Sequence, residues 1–280
     1  MNTITDTIQR SSSISFPFLG IEINPPASFS VFGRDIYFYG VIIAVAFIIG
    51  YIYVTKNAKL ISTTENDIVD IFLWIMPMSI IGARLYFCLF KLDYYTSHPS
   101  EIFAIWEGGL AIYGGVIAGI AVIIIIALKK KIKPLAVMDL FLTACILGQA
   151  IGRWGNFFNR EAFGCETDIF CKMGLTNISG DTIFVHPTFL YESLWNLGVF
   201  IVLNSILHKK RKFDGICVYH YCLLYGLGRV WIEGLRTDSL YIGSTNIRVS
   251  QVLSLVLIFF GAVMLIINNT KTLKDKPDDV

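Results

Sequence analysis

The sequence predicts an all-α, polytopic membrane protein with seven transmembrane helices, its amino terminus outside and its carboxyl terminus in the cytoplasm. Three observations lead there. Hydrophobic residues make up 55% of the 280 and charged residues 16%, and the apolar ones gather in long runs instead of the short periodic patches of a soluble core. Three runs of 19 residues carry no charge at all, each close to the ~20 residues a helix needs to cross the hydrocarbon. The basic residues are sorted by loop.

Taken in order, Met1 to Ser30 is polar and lacks an apolar h-region, so no cleavable signal peptide is expected and the first span serves as the insertion signal. That span is Tyr37 to Thr55, the first uncharged run. The second is Ile68 to Phe90, interrupted by Asp70 and Arg84, and the third is the uncharged Leu110 to Leu128. The fourth, Pro134 to Gly152, carries Asp139; the fifth, Pro187 to Leu207, carries Glu192 and opens on proline, which loses no hydrogen bond at a first helical position. Gly215 to Leu235, with Arg229 and Glu233, is the sixth, and the uncharged Val249 to Ile267 is the seventh. Lys56 and Lys59, Lys129 to Lys131 with Lys133, Lys209 to Lys212, and the tail's Lys271, Lys274 and Lys276 all fall on one face, which the positive-inside rule makes cytoplasmic.

A formal net charge of +2 sorted in this way points to a lipid bilayer and away from nucleic acid. The chain reads as a single transmembrane domain, 1–280, without internal repeats, and its longest loop, at about 153–186, forms an outer loop or small head. Loops of that length tend to be functional. His98, His186, His208 and His220 show no metal-ligand spacing, so no metal is expected. Gly108-Gly109, Gly114-Gly115 and Gly119 read as small-residue packing between helices. Cys165 and Cys171 share the outer loop, and a disulfide or two free thiols both stand open.

Threading the spans gives each polar residue a depth, and nearly all lie toward the outer face. Tyr39 starts span one, Arg84 lies about six residues inside the outer end of span two, and Tyr113 starts span three. Arg153 and Asn156 end span four; His186, Tyr191 and Glu192 open span five. Arg229, Glu233 and Arg236 share one face of span six at i, i+4 and i+7. Ionisable groups inside a membrane mark functional sites. The arginines Arg84, Arg153 and Arg229 outnumber Glu192 and Glu233, a surplus that calls for an anion, and a guanidinium fork matches phosphate. A phospholipid phosphate of the outer leaflet fits that depth.

The stretch from Gly152 to Gly164 resembles the G-R-x-G-N-F-x-N-x-E-x-x-G signature of the prolipoprotein diacylglyceryl transferases, with all eight fixed positions present. The resemblance covers essentially the whole chain. Tyr39-Gly40 resembles the family's first-helix motif, Gly82-Ala83-Arg84 its second-helix arginine, and His186-Pro187 through Leu190-Tyr191-Glu192 its H-P-x-x-L-Y-E motif. Arg229, Glu233 and Arg236 resemble the R-x-x-x-E-x-x-R face. One departure stands out: Tyr113 precedes Gly114-Gly115 where the family usually has histidine, so a histidine base for the incoming thiol does not carry over.

The resemblance implies transfer of the diacylglyceryl group of phosphatidylglycerol to the lipobox cysteine in preprolipoprotein signal peptides, forming a thioether and releasing glycerol 1-phosphate. No cofactor is implied. Arg153, Arg229 and Tyr113 would be catalytic; Arg153, Asn156, Glu161, Gly164, Tyr39 and Arg84 would bind phosphatidylglycerol; Glu233, Arg236, His186 and Glu192 would support them. The expected location is the bacterial plasma membrane with the active site toward the outer leaflet. A lipid or anion transporter is the alternative, although transporters place their sites near the midplane between repeats.

Overall fold

The computed structural model describes residues 13–243 and 245–274, which leaves the first dozen residues and Lys276 of the tail outside the description. Two compact units are present, Met1–Gly50 with Leu142–Val280, and Tyr51–Phe141. The helices are α1 (Phe38–Lys56), α2 (Glu65–Phe90), the short α3 (Leu92–Ser97), α4 (Ile112–Lys129), α5 (Pro134–Asn159), α6 (Thr188–Ser205), which runs on through a π turn at Ile206–Lys210, α7 (Ile216–Leu235) and α8 (Val249–Lys274).

Six of these are long and apolar enough to cross a membrane: α1, α2, α4, α5, α6 with its π turn, and α8. This is a polytopic membrane protein. The sixth expected span, Gly215 to Leu235, forms a 20-residue helix, α7, but Tyr219, His220, Tyr221, Tyr225, Arg229 and Glu233 keep it from being as apolar as the others. Its buried face, including Cys222, Gly226 and Ile232, packs between α6 and α8.

The all-α expectation needs correction, because six short strands are present among the described residues: β1 (Ser13–Phe16), β2 (Ile21–Ile23), β3 (Ser28–Val31), β4 (Arg34–Tyr37), β5 (Met173–Thr176) and β6 (Thr182–Val185). Strands of three or four residues carry too little alternation to stand out beside 19-residue apolar runs. An antiparallel sheet takes the order β2-β1-β5-β6, pairing Ile14 with Leu175 and Gly174 with Phe184. Its core of Ile14, Met173, Leu175 and Val185 closes on Phe157 of α5 and Phe189 of α6, so the end of one helix and the start of the other are pinned together. The second sheet is the β3-β4 hairpin, turned by Phe32 and Gly33 at φ +50° and +75°, the left-handed pair of a two-residue hairpin loop. It runs directly into α1 and sets Tyr39 in the first turn.

Within the second unit, α2 starts on a cap, Thr64 Oγ1 accepting from Asp67 N at 3.2 Å, with Glu65 and Asp67 in its first turn, where carboxylates favour a helix N-terminus. Gly82 and Gly114 let α2 and α4 touch: a methyl at Gly82 would lie 2.7 Å from the Gly114 carbonyl oxygen. Gly115 and Gly119 face Ser79. The small-residue reading therefore holds for these three α4 glycines. In the first unit Gly226 and Gly261 do the same for α7 and α8, since a methyl at Gly261 would lie 2.6 Å from the Tyr219 carbonyl oxygen.

Candidate active site

The last two turns of α5 carry Gly152, Arg153, Gly155 and Asn156. Side chains on α6 and α1 hold them in place. Trp154 Nε1 donates to Ser193 Oγ at 3.2 Å, and Ser193 Oγ donates to the Ala150 carbonyl at 2.8 Å, tying α5 to α6. The Tyr39 ring lies against Gly155, where a methyl would come within 2.5 Å of it. Glycine is required at this position by a close approach.

Beyond α5 the chain turns sharply. Arg160 and Ala162 both adopt left-handed conformations, φ +52° and +57°, an arrangement that costs energy and persists only where the surroundings enforce it. Between them Glu161 folds back, its Oε1 accepting from Asn156 Nδ2 at 2.9 Å and from Asn159 Nδ2 at 3.4 Å. The enforcing contacts are visible. Arg160 Nη2 donates to Asn24 Oδ1 and the Pro25 carbonyl, Thr188 Oγ1 donates to the Ala162 carbonyl at 2.5 Å, and Gly164 N donates to the His186 carbonyl at 2.9 Å. A methyl on Gly164 would lie 2.6 Å from His186 Cβ.

Glu192 of α6 is the hub of the charged cluster. It is 4% exposed. Arg153 Nε pairs with its Oε2, while its Oε1 accepts from Arg229 Nη1 at 2.6 Å and from Arg236 Nη1 at 3.4 Å. Arg229 Nη2 also lies 2.7 Å from Glu233 Oε2; that oxygen has no aligned hydrogen bond, so this contact is one of charge. Arg236 makes a two-pronged bond with Asp238, Nε to Oδ1 at 2.9 Å and Nη2 to Oδ2 at 2.7 Å. Burial opposes charge on Arg236, yet Asp238, Glu192 and Glu233 outweigh it and hold the guanidinium above its ordinary range. Asp238 is held below the usual carboxylate range, burial being overcome by Arg236. Arg153 Nη1 reaches Asn156 Oδ1 at 3.4 Å, and the Arg153 and Arg229 side chains keep 22% and 18% of their surface, leaving both open to a ligand.

Asp238 was not among the expected residues, and it removes the surplus of cations inferred from the sequence: Arg153, Arg229 and Arg236 face Glu192, Glu233 and Asp238. The Arg236-x-Asp238 spacing was the available signal. Arg84 belongs to the other unit, and its guanidinium donates to backbone carbonyls, Nε to Ile102 at 2.9 Å, Nη1 to Gly108 at 2.7 Å and Gly109 at 3.1 Å, and Nη2 to Glu101 at 2.5 Å. Gly108 and Gly109 accordingly lie outside α4, at φ +89° and +70°, not within an apolar helix. Tyr113 stands in the first turn of α4 and is exposed. His186 Nδ1 lies 3.4 Å from the Tyr191 hydroxyl, which lies 3.5 Å from Cys171 Sγ, and burial lowers the imidazole pKa. Cys165 and Cys171 are free thiols.

Residues 26–267 match the family model described as prolipoprotein diacylglyceryl transferase. The chain belongs to the prolipoprotein diacylglyceryl transferase family. Relatives named phosphatidylglycerol--prolipoprotein diacylglyceryl transferase include one from Finegoldia magna, 45% identical over 85% of this chain and 93% of its own length. Others come from Clostridium novyi, 41% identical over 88% and 96%, and Staphylococcus xylosus, 38% identical over 91% and 93%. The family match spans α1 to α8 and takes in every member of the arginine and carboxylate cluster.

Proposed function

We propose that this chain transfers the diacylglyceryl group of phosphatidylglycerol to the cysteine thiol of a prolipoprotein, the first step of lipoprotein maturation. The observation that carries the site assignment is the shared clamp of Arg153 and Arg229 on Glu192. The thiol gives its proton to water, the departing phosphate or Glu161, sulfur attacks the glycerol carbon bearing the phosphate oxygen, the carbon–sulfur bond forms as the carbon–oxygen bond breaks, and glycerol 1-phosphate departs. Negative charge grows on the leaving phosphate. Arg153 and Arg229, already oriented by Glu192, stabilise that charge more in the transition state than in the ground state. Asn156, Glu161 and Tyr39 bind the glycerol head, Gly164 lets the loop close on His186, and Glu233 and Arg236 hold the cluster in register. Arg84 braces the loop before α4, at whose start Tyr113 contacts lipid or thiol.

In this reading α7 crosses the membrane as a seventh helix, screened from lipid by α6 and α8. The amino terminus and the 153–186 head lie outside, the carboxyl terminus lies in the cytoplasm, and the site opens to the outer leaflet of the bacterial plasma membrane. The acceptor is the lipobox cysteine of a preprolipoprotein signal peptide. The test is incubation of a lipobox peptide with membranes containing the protein and phosphatidylglycerol. A stable diacylglyceryl adduct with glycerol phosphate release is the expected result; lipid movement without adduct would favour a transporter.

A further inference from the structure

Below the arginine cluster a polar ladder continues along α5 and α7. Gln149 precedes Arg153 by four residues, and Tyr221, Tyr225 and Arg229 follow one another at the same spacing, so each set shares a helix face. Gln149 Nε2 donates to the Tyr221 hydroxyl at 3.0 Å, and the Tyr221 ring stacks on Tyr225 with centroids 5.2 Å apart and planes 6° from parallel. The pair is not self-sufficient. Gln149 Oε1 is buried without a hydrogen-bond partner, and the Tyr221 hydroxyl, already accepting from the amide, has its own proton left to give. An amide can be turned end for end. In either orientation the pair keeps at least one N–H or O–H that finds no acceptor among the described residues. Inside a bilayer, where no bulk water compensates, such a donor is costly unless something accepts from it.

We infer that Gln149 and Tyr221 bind an acyl ester carbonyl of the lipid donor and make the site selective for diacyl over dialkyl glycerophospholipid. The inference rests on the transferase reading above. Four residues of helix place Gln149 about 6 Å along the axis from Arg153, a few bond lengths, which is the scale of the path from a lipid's phosphate across its glycerol to an ester carbonyl. With the amide turned so that Oε1 accepts the Tyr221 proton, the acceptor is satisfied and the amide N–H is left to donate, and an ester carbonyl, which accepts hydrogen bonds and donates none, matches that donor. Both residues keep some exposed surface, so a lipid can reach them. Holding the carbonyl would fix the glycerol carbon that the thiol attacks relative to the phosphate bound at Arg153 and Arg229.

The experiment compares diacyl phosphatidylglycerol with its dialkyl ether analogue, which has the same head and phosphate but no carbonyls. The kcat/KM of thioether formation is measured by mass in proteoliposomes for wild type, Gln149→Leu and Tyr221→Phe. Wild type should prefer the diacyl lipid by about three- to tenfold, the scale of one neutral hydrogen bond. Each variant should lose that factor on the diacyl lipid while keeping the wild-type rate on the ether, so that discrimination disappears. Tyr221→Phe retains the stacked ring, which keeps the comparison valid if Gln149→Leu inserts poorly. Equal use of both lipids by wild type, or variants that slow both lipids equally, would overturn the inference alone. A wild-type protein that makes no thioether from either lipid overturns the transferase reading and this inference with it.

Discussion

Arg153 at the end of α5 and Arg229 in α7 are held by opposite oxygens of one buried carboxylate, that of Glu192. A carboxylate buried between guanidiniums fixes their separation and direction before any ligand arrives. Removing one partner of such a buried ion pair costs about 3–5 kcal/mol, because the remaining charge is left uncompensated. Glu192→Gln should therefore lower the thermal midpoint and the transfer rate together. Inorganic phosphate, by supplying the missing negative charge, should raise the midpoint of Glu192→Gln more than that of wild type. A variant as stable as wild type, and no more responsive to phosphate, would show that Glu192 does not organise the arginines.

Arg153→Ala and Arg229→Ala should each reduce transfer by a factor of several hundred or more while leaving the protein inserted, since one donor to a developing anion is worth ~3–4 kcal/mol. Arg229→Lys should also be poor, because Arg229 bridges Glu192 and Glu233 through separate nitrogens and an ammonium is a single point of charge. Turnover of inserted Arg153→Ala within tenfold of wild type would remove Arg153 from the reaction.

The contact between Gly155 and Tyr39 separates packing from binding. Gly155→Ala forces a methyl against the Tyr39 ring, and overpacking of this kind costs about 1–3 kcal/mol. Adding Tyr39→Ala should restore the thermal midpoint. It should not restore activity if Tyr39 contacts the glycerol head, so the double variant would be stable and slow. A double variant that regains full transfer would reduce Tyr39 to a packing residue.

Most of the architecture was legible because 19-residue apolar runs leave a chain few alternatives, and because Gly152 to Gly164 concentrates its meaning in one stretch. The parts that escaped have physical reasons. Strands β1, β5 and β6 of the four-stranded sheet pack on the Phe157 and Phe189 cluster, a tertiary effect invisible in a four-residue window. Nothing local in the sequence announces that the chain around Glu101 to Gly109 turns its carbonyls toward the Arg84 guanidinium. Asp238 lies just past α7, in a segment read as loop, and only the two-pronged contact with Arg236 shows that it balances the cluster.

His186 links the site to pH. Burial disfavours its charged form, so the folded protein keeps it neutral at a pH where the unfolded chain, with an ordinary imidazole near ~6.5, takes up a proton. Stability from this source is constant above that value and is lost as pH falls below it, until the lower folded-state value is passed. The thermal midpoint of wild type should fall between about pH 7 and 5.5, and His186→Gln should flatten the change. Parallel profiles for the two proteins would assign the acid sensitivity elsewhere.

Tyr113 is where the chain departs from its family's usual histidine, at the first turn of α4. A neutral phenol is a poor proton acceptor near neutrality, whereas an imidazole is a good one. A guanidinium close to the incoming cysteine, such as that of Arg153 or Arg229, favours its thiolate, which reduces the need for a strong base. On this argument Tyr113 positions the lipid head or the thiol by a hydrogen bond, and the proton leaves to water, the departing phosphate or Glu161. Tyr113→His should remain active. Tyr113→Phe should lose about 1 kcal/mol, the scale of one hydrogen bond, or a few-fold in rate. Initial rates against pH for both variants check this, because a positioning role lowers the rate by the same factor at every pH, while loss of a base changes the shape of the profile. A Tyr113→Phe protein as inactive as Arg153→Ala, with normal insertion, would make the phenol obligatory for the chemistry.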